Sequence, residues 1–164
     1  MLISGVAAGL LGGLVARGDP RRLAAVRVRW WYAFLLAIGL RAVAALPLGT
    51  ETQRAIYVVA LWLLVAVALA NLALPAAPAI AAGLMLNALV VTLNAGAMPV
   101  STAAAQAATG GVPADALHRE LGPDTPLPML ADVLPVPPLG AYSVGDVALA
   151  VGVAALIFRV MTRP

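Results

Sequence analysis

Residues 83–100 read GLMLNALVVTLNAGAMPV. From Gly83 to Asn94 this stretch is apolar apart from Asn87, Thr92 and Asn94, and it carries no charge. It then closes on Gly96 and Pro99. Glycine suits the left-handed residue that ends a helix, and proline cannot continue one, so the stretch reads as a membrane helix with a sharp exit. Asn87 and Asn94 are seven residues apart and share one helix face. Asparagine is costly in lipid and tends to hydrogen-bond across helices. The pair is therefore either interhelical glue, or it places Asn94 at the edge of a site built by the segment that follows.

Four more apolar runs flank this one. Of the 164 residues 63% are hydrophobic and 10% charged, against about 45–50% and 25% in an ordinary soluble domain. Such a chain cannot hide its surface from water, so lipid is the expected solvent. The spans fall at about 2–16, 30–48, 55–74, 79–95 and 142–160, with an outer loop over 96–141. The first run is short for a span, but a signal peptide would carry a basic region before it and Met1 does not. Gly5, Gly9 and Gly13 recur every fourth residue and make a smooth face for a neighbouring helix. Gly145, Ala148, Gly152 and Ala155 make a similar seam on the last run.

Charge sets the orientation. Arg17, Arg21, Arg22, Arg27 and Arg29 lie between the first two runs, and Arg159 and Arg163 close the chain. These seven mark the cytoplasmic side, where they also meet anionic lipid headgroups. Trp30, Trp31 and Tyr32 read as an interfacial anchor. The four acids Asp115, Glu120, Asp124 and Asp132 fall on the other side. The expected fold is an all-α membrane protein, a five-helix transmembrane bundle. It has a long Pro-rich extracytoplasmic loop between helices 4 and 5, the N-terminus outside and the C-terminus in the cytosol.

That loop holds eight of the thirteen prolines. Within it, Pro113 to Leu121 reads as one short surface helix, with proline in its first turn and Gly122-Pro123 as its stop. PLPMLADVLPVPPLG, residues 126–140, is too proline-rich for a helix and too apolar for a free loop. It reads as extended chain on the outer interface, sheltered by protein. Thr50 to Arg54 reads as an outside turn.

Few residues carry chemistry. Asp132 and Asp146 flank the Pro-rich stretch, and two carboxyls at close range divide into an acid and a base. Asp146 also fits a simpler role, since Ser143-Val-Gly-Asp146 has the form of a helix-capping box. Arg41 lies within the second span, about 12 Å from its outer end at Gly49. A charge there costs about 2.5–3.5 kcal/mol, so Arg41 is expected to snorkel outward or to take a partner, Asp146 or Asp132 being candidates. His118 with Asp115, Glu120 and Asp124 has the residue types of a metal site but not the spacing, and reads as solvated surface. With no cysteine and one histidine, neither metal nor cofactor is expected. The arginines sit beside membrane runs, which argues against nucleic acid despite the net charge of +3. Expected partners are the lipid bilayer and other membrane proteins or a second copy.

Asn94-Ala-Gly-Ala-Met-Pro-Val-Ser101, Leu130-Ala-Asp-Val-Leu-Pro-Val-Pro137 and Tyr142-Ser-Val-Gly-Asp-Val147 resemble the signatures of an uncharacterised family of small bacterial multi-span membrane proteins. The resemblance implies a bacterial plasma-membrane location and no activity. Ala95 and Ala131 stand where that pattern has glycine. A more local likeness is to lipoprotein signal peptidases. Tyr142-Ser-Val-Gly-Asp146 is similar to their F-N-x-A-D box, and Asn94-Ala-Gly96 to the start of their N-x-G-x-A-F box. It implies Asp146 and Asp132 as a catalytic dyad, although Ser143 and Gly145 replace the Asn and Ala of the box. Three functions follow in order: a structural, complex-subunit or lipid-interacting membrane protein; an Asp-dependent membrane hydrolase; an oligomeric transporter or channel subunit.

Overall fold

Glycines bring the last apolar helix into close contact with two others. The computed structural model describes residues 1–163, most of them helical. Five apolar helices make the body: α1 (Leu2–Val15), α2 (Trp31–Ala44), α3 (Thr50–Ala70), α4 (Ala77–Leu93) and, after a short α5 (Thr102–Thr109), α6 (Val144–Thr162). Gly5, Gly9 and Gly13 all face α6: a Cβ on Gly5 would lie 2.5 Å from the Ala150 carbonyl oxygen, and one on Gly9 2.8 Å from that of Ala154. The indices rise together, so α1 runs parallel to α6. Across α6, Gly83 meets Gly145 and Gly152 meets Ile80, which makes α4 antiparallel to it. The helices pack in the order α1, α6, α4, α3, α2. Leu61, Val65, Leu84, Ala88 and Val91 form the core between α3 and α4.

Two helices, α3 and α6, are long and apolar enough to cross a membrane. The other three are apolar but shorter, with 14 residues in α1, 14 in α2 and 17 in α4. The boundaries follow local chemistry. Gly49, at φ 87°, starts α3 at Thr50, so Thr50–Arg54 is the first helical turn and not an outside turn. From there Gln53 Nε2 donates to the Ala44 carbonyl at 3.1 Å, giving a partner to a carbonyl just beyond reach of the α2 ladder.

The segment between α4 and α6 is more structured than the expected loop. Ser101 caps α5 by accepting from Ala104 N at 3.3 Å, and Gly110 at φ 91° ends it. The helix expected over Pro113–Leu121 is absent. Asp115 accepts from the backbone N–H groups of Leu117 and His118 in a local turn. Residues His118–Glu120 then form β2, parallel to β1 (Met98–Val100). The same contacts cap helices elsewhere, but here the chain runs from the turn straight into β2, whose pairing with β1 requires extended backbone. β3 (Leu134–Val136) pairs antiparallel with β4 (Gly140–Tyr142), the extended course expected there.

This segment and the arginine-rich one lie at opposite ends of the helices. Asp132 shares a cavity with Asp146 in the first turn of α6, whereas Arg22 shares one with Val160 and Arg163 at its far end. The 19 residues of α6 span about 28 Å between them.

Leaving α4, Ala95 adopts φ 54° and Gly96 φ 80°. The left-handed region costs a residue with a Cβ about 1–2 kcal/mol, part of which glycine loses again through its freer unfolded chain. Ala95→Gly is therefore expected to stabilise the protein by roughly 0.5–1 kcal/mol, read as a higher melting temperature in detergent. At Gly96 the reverse holds, because a Cβ would also meet Arg54 Cβ at 2.6 Å.

Candidate functional site

The crossing of α4 and α6 builds half of the site. With glycine at 83 and 145, the two backbones approach until a Cβ on Gly145 would collide with the Asn87 amide oxygen. That proximity lets Asn87 Nδ2 donate to Asp146 Oδ1 at 2.9 Å. Ser143 Oγ donates to Asn87 Oδ1 at 2.9 Å and accepts from Asp146 N at 3.0 Å, while Ser143 N donates to Asp146 Oδ2 at 3.2 Å. The capping box expected at Ser143–Asp146 is present, and Asn87 extends it across to α4. Asp146 thus accepts from two donors, Asn87 Nδ2 and Ser143 N.

The other half is hung on β1. Asp132 N donates to Pro99 O and Ser101 N to Asp132 O, both at 2.9 Å, so β1 holds β2 on one edge and Asp132 on the other. The Asp132 side chain is 7% exposed and its Oδ1 has no hydrogen-bond partner among the described residues. Burial pushes this carboxyl from 3.8 up to about 8, and the Asp146 charge adds to the rise.

Asp132 and Asp146 line one cavity of about 350 Å³. Arg41, Asn87, Tyr57 and Tyr142 contribute to the same wall. Arg41 stands with its guanidinium 4.7 Å from the centre of the Tyr57 ring, a cation–π contact. Among the described residues it makes no ion pair with either aspartate. The expected partner is thus an aromatic face, and the cation is left facing the cavity.

Asn94 does something else. It is 1% exposed, and its Nδ2 donates to Val90 O at 2.7 Å and to Pro126 O at 3.1 Å. It clips the outer segment to the end of α4 and does not line the cavity. His118 pairs with Asp115 at 2.8 Å and contributes to the cavity rim. Among the described residues no three His, Cys, Asp or Glu side chains converge as a metal site would need. Tyr57 is a wall residue that the sequence reading did not single out, and His118, read there as solvated surface, also lines the cavity. Tyr57 carries no sequence signal, because it meets Arg41 only through the packing of α3 on α2.

The cavity's two acidic walls come from Leu130-Ala-Asp132 and Ser143-Val-Gly-Asp146, and its floor from the Asn87 turn of α4. The two stretches that bring the aspartates carry the family resemblance noted in the sequence, and the Asn87 turn lies outside it. No curated protein and no solved structure matches the chain. A family model does match, over residues 25–158, and takes in every residue of the cavity wall named above; the chain belongs to that family, a family of unknown function designated DUF5317.

Proposed function

We propose that this is a multi-pass protein of the bacterial plasma membrane, with α1, α2, α3, α4 and α6 as its spans, and that the Asp132–Asp146 cavity is an Asp-dependent hydrolytic site on its outer face. The membrane reading draws on exposure. Only 33% of the apolar window of α3 and 28% of that of α6 are buried, where the core helix of a soluble protein would be mostly covered. Ile3, Val15, Trp31 and Leu36 are exposed on α1 and α2 as well, and an apolar surface of that extent needs lipid or protein against it. The directions of the five helices alternate as successive crossings require. The arginine-rich end takes the cytoplasmic side by the positive-inside rule, with the N-terminus outside.

One observation carries the hydrolase reading: two carboxyls of unlike environment face one cavity, one buried with its Oδ1 unpartnered among the described residues and one held by donors. Environments that drive two acids apart assign one as proton donor and the other as acceptor. Asp146 takes a proton from water as the water oxygen bonds to a substrate carbonyl carbon. Asp132 gives its proton to the leaving group as the scissile bond breaks. Arg41 and Asn87 orient the polar substrate. The likeness of Tyr142–Asp146 to the signal-peptidase box points the same way.

The test is cleavage of acyl or peptide substrates by the detergent-purified chain. Asp132→Asn and Asp146→Asn should each lower the rate at least about 100-fold while the protein keeps its helical signal. A second reading, a structural, subunit or lipid-interacting protein, is favoured by the glycine contacts of α6 with both neighbours. Under it both Asn variants would keep the cellular phenotype, and only disruption of the helix seams would lose it.

A further inference from the structure

At the end of the helices opposite to Asp146, a cavity of about 440 Å³ is lined by Arg22, Arg27 and Arg163 together with Leu74 and Pro75. All three arginines are exposed, and no Asp or Glu side chain lies within ion-pair distance of any of them among the described residues. The positive-inside rule accounts for cations at that end. It does not account for three of them converging on one hollow from the α1–α2 connection and the end of α6.

That hollow adjoins a second of about 390 Å³, walled by apolar side chains of all five long helices. Leu74 lines both, and Val26 and Arg27 of the first are followed in the chain by Val28 of the second. The apolar chamber runs along the helix axes: it is bounded by Leu149 and Leu156 on α6 and by Ala77 and Leu84 on α4, about 10 Å of helix on each. The connection between them is held by a buried amide. Asn71 Oδ1 accepts from Arg29 N at 2.8 Å and Asn71 Nδ2 donates to Arg29 O at 2.9 Å. The chain over 26–29 is thereby pinned to the end of α3, with Arg27 at the mouth.

We infer that the two hollows together bind one anionic glycerophospholipid, its phosphate among Arg22, Arg27 and Arg163 and an acyl chain in the apolar chamber. A cationic mouth joined to an elongated apolar chamber matches a molecule with an anionic head and a hydrocarbon tail. Arginine forks suit phosphate oxygens, and such lipids are abundant in the cytoplasmic leaflet. The inference rests on the membrane reading and not on the hydrolytic one.

The full chain, purified in detergent, is melted with phosphatidylglycerol, with phosphatidylcholine, and with inorganic phosphate. Phosphatidylglycerol should raise the melting temperature by several degrees, and the other two should not. Arg22→Gln combined with Arg27→Gln, at exposed positions that leave the fold intact, should abolish that rise. Leu156→Trp, which fills the chamber, should weaken it. Equal stabilisation by both lipids, by inorganic phosphate alone, or in the arginine variant would overturn the inference. A chain that fractionates without detergent would instead sink the membrane reading, a distinct result.

Discussion

Asp132→Asn is expected to raise the melting temperature of the purified protein strongly at pH 9 and little at pH 5. The sign follows from the direction of the shift. The folded carboxyl holds its proton up to about 8 instead of 3.8. Below pH 4 both folded and unfolded chains are protonated, and the group contributes no pH dependence. Between those values the unfolded chain releases a proton that the folded chain keeps, so stability falls as pH rises, by about 1.4 kcal/mol per unit. Above 8 the loss is complete. An amide of the same shape never ionises and escapes the loss. The recovery at pH 9 is of the order of several kcal/mol, at roughly 2–4 °C each in a chain of this size. A wild-type melting curve flat from pH 4 to 8 would mean that Asp132 is solvated, and would remove the proton donor from the hydrolytic scheme. A residue whose removal stabilises the fold while ending activity is the expected signature of a site held against its own stability.

Gly145→Val is expected to be strongly destabilising and to strike the site directly. Its first added carbon collides with the Asn87 amide and comes within 2.9 Å of the Gly83 carbonyl. Helices α4 and α6 must separate, with an overpacking cost of about 1–3 kcal/mol or more, and the Asn87–Asp146 hydrogen bond goes with it. The melting temperature should drop by several degrees, and any function of the cavity should be lost. Gly39→Val is the control: nothing lies within 4 Å of a Cβ at that position, so the change should be nearly silent. Equal tolerance at both positions would show that the α4–α6 contact is not what holds the site.

Periodicity and composition made the five apolar helices legible, each within a few residues of its observed bounds. The capping box at Ser143 was legible because its two hydrogen bonds are local. Ser101 and Gly110 bracket the alanines of α5 with local cap signals, but the prolines on either side give the whole segment the composition of a loop. The sheets were not legible. β1 and β2 pair across a separation in the chain that no short motif records, and β2 takes the place of the helix that Pro113 suggests.

What the sequence by itself determined is the inventory: apolar runs that need a non-aqueous or protein cover, arginines gathered between the first two runs and at the end of the last, and two aspartates flanking a proline-rich stretch. Those features are set by the transfer energy of single residues and by hydrogen bonds between near neighbours. Only the tertiary structure decided that Asp132 is buried while Asp146 is held by donors, that Arg41 takes an aromatic partner, and that three arginines meet an apolar chamber. Each depends on contacts between segments far apart in the chain, the Asn87–Asp146 bond on the glycine crossing of α4 and α6 and the place of Asp132 on its pairing with β1, and the protonation of Asp132 depends on burial, which no stretch of sequence contains.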